Sequence, residues 1–189
     1  TGIASVFGLQ YGTLIPALAK EVLRVGPERF GLLVSAAGAG AVGAAIAVAA
    51  FGRAFVPGKI VVAGSILAPA GIIALSNTRS YSLSVMWLVV VGFGMMLFLA
   101  VSNSIVQVAS PDELRGRILS LRTLVFMGLA PLGALQVGWI AQRFGVQISL
   151  EVGGFACLIA ALYFALRGHY SQPSELDGTQ DRDAAMVLQ

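Results

Sequence analysis

"VMWLVVVGFGMMLFLA", residues 85–100, is apolar on every side and carries no charge from end to end. A membrane-crossing barrel strand alternates apolar and polar residues over about ten positions, and this stretch does not alternate. A helix satisfies its own backbone in lipid, and about 20 apolar residues at about 1.5 Å rise match a hydrocarbon core of about 30 Å. The stretch is therefore predicted to be the middle of a spanning helix, within the longer apolar run 82–109.

Five further runs of the same kind lie at 2–19, 30–51, 60–76, 119–142 and 147–167. The predicted fold class is all-α: a polytopic membrane protein whose six transmembrane helices form one bundle over residues 1–167. The composition agrees, at 57% hydrophobic and 11% charged, where a soluble domain is about 25% charged. "RVGPERFG", "FVPG", "SNTRS", "ASPDE" and "RFG" separate the runs, supplying Gly, Pro, Asn and Ser where the chain must reverse. After Arg167 the sequence turns polar in "GHYSQPSELDGTQDRDAAMVLQ"; this tail, 168–189, is expected to be disordered and outside the bilayer. The chain opens on "TGIASVFGLQYGTLIPALA" with no methionine or basic leader, which is read as a start inside an apolar helix, with more protein expected upstream.

Six crossings put both ends on one side, here called side A, with Arg53, Lys59, Arg115, Arg117, Arg122 and Arg167; side B carries Lys20, Arg24, Arg29, Arg79 and Arg143. Six against five does not orient the chain by the positive-inside rule. Trp87 and Trp139 fall toward side B. The basic residues are scattered singly, as interface anchors in contact with lipid, and form no basic face for nucleic acid. Cys157 is the only cysteine, so it pairs with no other in the chain and serves as a small core residue. No metal-ligand set or cofactor motif emerges.

Between the fourth and fifth runs, Ser110, Pro111, Asp112 and Glu113 read as a helix start: a serine N-cap, a proline at the first position and a glutamate able to reach back to the cap. With Arg115 and Arg117 these charges either hold a loop at the headgroups or act as a gate latch that exchanges partners. Polar residues inside spans are functional candidates because lipid penalises them. Gln10 and Tyr11 lie in the first span; Asn103 and Gln107 share a helical face with Met96 in the fourth. These five are the substrate-cavity candidates, with interhelical hydrogen bonding as the structural alternative. Ala36, Gly40 and Ala44 recur every four positions, and Gly128, Gly133 and Gly138 punctuate the fifth span, a pattern of close helix packing. Pro69 and Pro131 are expected kink sites. Glu151 is the only acid in any span and His169 follows the last, so a coupling carboxylate, if protons drive the protein, is expected elsewhere in the molecule.

"NSIVQVASPDELRGRILSLRTLVFMGLAPLGALQVGWIAQRFG", residues 103–145, resembles the region of helices ten and eleven in the major facilitator superfamily. It is most similar to the branch of enterobactin exporters and macrolide-efflux-type proteins. "YGTLIPALAKEVLRVGPERFGLLVSAAGAGAVGA", residues 11–44, similarly resembles helices seven and eight. The resemblance implies the C-terminal six-helix half of a twelve-helix transporter, with the N-terminal half of the same chain as its partner. It also implies a cytoplasmic side A and tail, a bacterial inner membrane, and helices seven and ten lining the cavity. One departure is plain: "FGRAFVPGK" keeps only a trace of the Gly- and Arg-rich signature usual between helices eight and nine.

The expected function is export of a hydrophobic or amphipathic small molecule by alternating access, driven by protons. Uptake, or a six-helix scaffold or pore, are the alternatives. An intramembrane protease is disfavoured, since no G-x-S-x-G occurs and no span contains an aspartate or histidine.

Overall fold

The computed structural model describes residues 11–51, 57–109 and 115–166, and these are helical almost throughout, with no strand among them. α1 is Tyr11–Ala17, continued by a π turn at Leu18–Val22; α2 is Pro27–Phe51, α3 Pro57–Ser76, α4 Tyr81–Ala109, α5 Arg115–Phe144 and α6 Val146–Leu166. Helices α2 to α6 are each long and apolar enough to cross a membrane. The first apolar run is described only from Tyr11, and the tail and the S-P-D-E cap lie outside the described residues.

The helices reach past the apolar runs that announce them. α2 starts at Pro27 rather than near 30, α3 at Pro57 rather than 60, and α5 spans 115–144 rather than 119–142. The added turns contain Glu28, Arg29, Lys59, Arg117 and Arg143, which count against a lipid span yet favour helix ends at the headgroups. α3 and α5 continue as helix across Pro69 and Pro131, whereas α1 gives way to π geometry just beyond Pro16. Proline lacks the N–H that the preceding turn requires, and the wider i→i+5 pattern begins there: the Leu23 N–H donates to Leu18 O at 3.0 Å.

Three described turns lie on side B, and each is built by local chemistry. Arg24 takes a left-handed φ of 51° while the Val25 N–H donates to Ala19 O at 3.0 Å, a closure one residue wider than the six-to-one bond that ends an α-helix, as the π turn before it requires. At the start of α4, Ser84 Oγ donates back to Ser80 O at 2.9 Å, the same carbonyl that accepts the Ser84 N–H at 3.0 Å. Between α5 and α6 a single residue suffices: Gly145, at φ 93°, donates to Ala141 O at 2.9 Å and accepts from Ser149 N–H at 3.2 Å. A side chain there would meet its own backbone, which is why glycine stands at this position.

The buried core lies toward side B and draws on every helix. Leu14, Leu18, Leu33, Leu75, Leu88, Val91, Val137, Val146 and Leu150 form it, with Ala36 and Ile72. α4 lies between α2 and α3, α3 also packs on α6, and α6 alone among the long helices holds α5 closely. Glycines set these approaches. A Cβ on Gly40 of α2 would overlap the Val89 carbonyl of α4, and one on Gly92 of α4 would overlap the Ala37 carbonyl of α2. On the other side of α4, a Cβ on Gly94 would lie 2.6 Å from the Ala68 nitrogen, and one on Gly64 of α3 would lie 2.7 Å from the Phe98 nitrogen. Lipid supplies no hydrophobic drive for helix association, so backbone approach at small residues is what holds such a bundle.

Candidate functional site

α4 carries three of the five cavity candidates. At about 1.5 Å per residue, Met96 lies about 22 Å along α4 from its side B start, Asn103 about 33 Å and Gln107 about 39 Å. The depth separates them. Met96, half-buried, is near the middle of a hydrocarbon core of about 30 Å, while Asn103, exposed, and Gln107 stand at the side A end. The face they share is the one that meets α2 higher up: Asn103 follows Gly92 by three helical turns, and Gly92 is closed against Ala37. The same stripe is thus sealed toward side B and uncovered at Asn103.

Tyr11 is half-buried and packs on the side B core. It lies about 16 Å from the end of the π turn, by the same rise, about one helical turn nearer side B than Met96. α1 itself packs on α6. Gln10 lies outside the described residues, as do Asp112 and Glu113; Arg115 opens α5, and Arg117, in its first turn, is exposed. The positions at the side A ends of α4 and α5, Asn103, Gln107, Arg115 and Arg117, flank the connection that holds the two acids.

The glycines divide. Gly40 is enclosed, as described, and Gly133 is buried, but Gly128 has no neighbour within 4 Å of where a Cβ would sit, and Pro131 is exposed. They belong to a wide bare surface of α5, on which Leu124 is 68%, Met127 70% and Leu135 72% exposed.

A polar group that adds Gln147 and Ser76 to the Glu151 of the sequence reading joins α3 to α6 at side B. The Gln147 amide donates to Ser76 O at 2.7 Å, and Ser76 Oγ, in a residue only 1% exposed, lies 3.4 Å from Glu151 Oε1. Gln147 and Glu151 are four apart, hence on one face of α6; that spacing was the available signal. Elsewhere at side B the Arg143 guanidinium lies 5.5 Å from the Trp139 ring centre, with Phe144 edge-on to the indole at 6.5 Å. The Arg29 guanidinium lies 5.5 Å from the Tyr81 ring, whose hydroxyl donates to Arg29 O at 3.2 Å. These cation–aromatic pairs mark the side B headgroup level.

Compared with known families, residues 3–180 match the model of the transmembrane secretion effectors, within the major facilitator superfamily. The chain belongs to this family. As a member of it the chain is an integral membrane protein of a transporter superfamily, and its bundle of long apolar helices is that of a polytopic member. No curated protein matches the chain.

Proposed function

We propose that this bundle is the C-terminal half of a secondary transporter that exports a hydrophobic or amphipathic small molecule by alternating access, driven by the proton gradient across a bacterial inner membrane. The observation that carries the reading is the family match over residues 3–180, whose description is secretion; export follows that description. The enterobactin-exporter and macrolide-efflux-type branch, suggested by the resemblance of residues 103–145, gives the substrate class.

The bare face of α5 supports a partner half. α5 is held closely by α6 and only slightly by α4, and leaves Leu124, Met127 and Leu135 mostly exposed, more of its circumference than a helix needs for lipid on one side. In this reading Tyr11 and Met96 contact substrate at mid-depth, and Gln10, Asn103 and Gln107 extend the path. Asp112, Glu113, Arg115 and Arg117 latch the cytoplasmic end, side A, with the tail on the same side.

The test is export of dyes, macrolides and catecholate siderophores from cells expressing the full-length chain, with and without a protonophore. Export of at least one compound that stops when the gradient collapses is the expected result. Accumulation of the same compounds in place of export overturns the direction, and no movement of any compound overturns the reading.

A further inference from the structure

A helix ends with four carbonyls that have no partner within it, and where burial keeps water from them each needs a donor from the protein. α3 finds all four. Ile73 O accepts from the Asn77 amide at 2.9 Å and from Ser76 Oγ at 2.7 Å. Ala74 O accepts from Thr78 Oγ1 at 2.8 Å, and Leu75 O from the Thr78 N–H at 3.1 Å. These donors all come from the SNT sequence at the helix end. The fourth, on Ser76 O, comes from another helix, through Gln147 at 2.7 Å.

The contact continues along α6. Gln147, Glu151 and Gly154 fall at positions i, i+4 and i+7 of one face; a Cβ on Gly154 would lie 2.7 Å from Ile73 Cγ1 and 3.3 Å from Pro69 O. α3 thus meets α6 without a gap from Pro69 to Ser76, and on its opposite side interlocks with α4 through Gly64 and Gly94. α4 bears Met96 and Asn103.

We propose that Gln147 is a positioning residue: by capping α3 from α6 it locks α3 and α6 into one body, so that α4 is carried as a rigid element when the bundle rocks. This rests on the transport reading above. Removing the amide donor frees the end of α3, and the movement of α4 is no longer transmitted in step with the rest of the bundle.

The experiment uses the full-length protein in nanodiscs, comparing wild type with Gln147→Met, which keeps length and loses the donor, and Gln147→Lys, which keeps a donor. Backbone hydrogen exchange is followed over residues 77–80, together with export rate against substrate concentration. Gln147→Met is expected to exchange about fivefold faster there, the worth of one neutral hydrogen bond, and to lose maximal rate at unchanged KM, with Gln147→Lys restoring both. Should Gln147→Met not accumulate, Gln147→Asn, whose amide falls one methylene short, replaces it. Unchanged exchange overturns the cap; faster exchange with unchanged maximal rate overturns the positioning role. A wild-type protein that moves no substrate defeats the transport reading instead, while the exchange comparison still decides the cap.

Discussion

Gly40→Ala and Gly43→Ala, two substitutions one helical turn apart on α2, are expected to have opposite effects. The first methyl would overlap the Val89 carbonyl and lie 2.8 Å from its carbon and 2.9 Å from the Phe93 nitrogen, all backbone atoms of α4 that cannot rotate aside. The second would lie 3.7 Å from Phe93 Cδ2, an ordinary contact. Both gain the same helix propensity, about 1 kcal/mol over glycine, so their difference isolates packing. Overfilling a tight contact costs about 1–3 kcal/mol, with rigid backbone placing this site at the upper end. Gly40→Ala should therefore lose about 2 kcal/mol net and Gly43→Ala should match or exceed wild type. The assay is SDS-induced unfolding of the full-length protein in mixed micelles, followed by tryptophan fluorescence. Equal stability of the two variants would refute the claim that α2 and α4 approach at Gly40.

Other expectations follow from the same geometry. Gly145→Ala, at φ 93°, should cost about 1–2 kcal/mol in the same unfolding assay, the penalty of a side chain in left-handed backbone; no loss would mean that the α5–α6 turn relaxes freely. Asn103→Ala should raise the KM for export about fivefold, the worth of one neutral hydrogen bond, and lost expression in its place would assign Asn103 to packing. Replacing both Arg115 and Arg117 with Gln should slow turnover by roughly fivefold, equivalent to about 1 kcal/mol on the barrier, while leaving membrane insertion and KM unchanged. Unaltered turnover would reduce the stretch to a headgroup anchor.

The spans were legible in the sequence because lipid demands long apolar helices and little else competes with that signal. Their ends were not, because the same residues that terminate an apolar run, such as Glu28, Arg29 and Arg117, sit comfortably in the outermost turns of a helix. The π turn at Leu18–Val22 had a cue in Pro16, yet proline alone does not say whether a helix bends, breaks or widens. The small-residue repeat Ala36, Gly40, Ala44 pointed to close packing, but its counterpart on α4, Gly92, and the α3-facing Gly94 are hidden in the apolar stretch 85–100, whose hydrophobicity announces a span and masks a contact surface. At the candidate site, helical spacing grouped Met96, Asn103 and Gln107 on one face. Their separation in depth follows from the same spacing, but the closing of that face against Ala37 at Gly92 depends on where α2 crosses, which one strand of sequence does not encode. The Gln147 cap was hidden for the same reason: its acceptor is a backbone carbonyl 71 residues away.

The most direct test of alternating access is the reactivity of a single cysteine at Met96, introduced as Met96→Cys in a full-length background from which Cys157 and every other native cysteine have been removed, toward a membrane-impermeant maleimide applied from each side in turn. Labelling from the cytoplasmic side that falls severalfold on adding substrate and gradient, with labelling from the opposite side rising in step, is the predicted result. Labelling from one side only, unchanged by substrate or gradient, would contradict it.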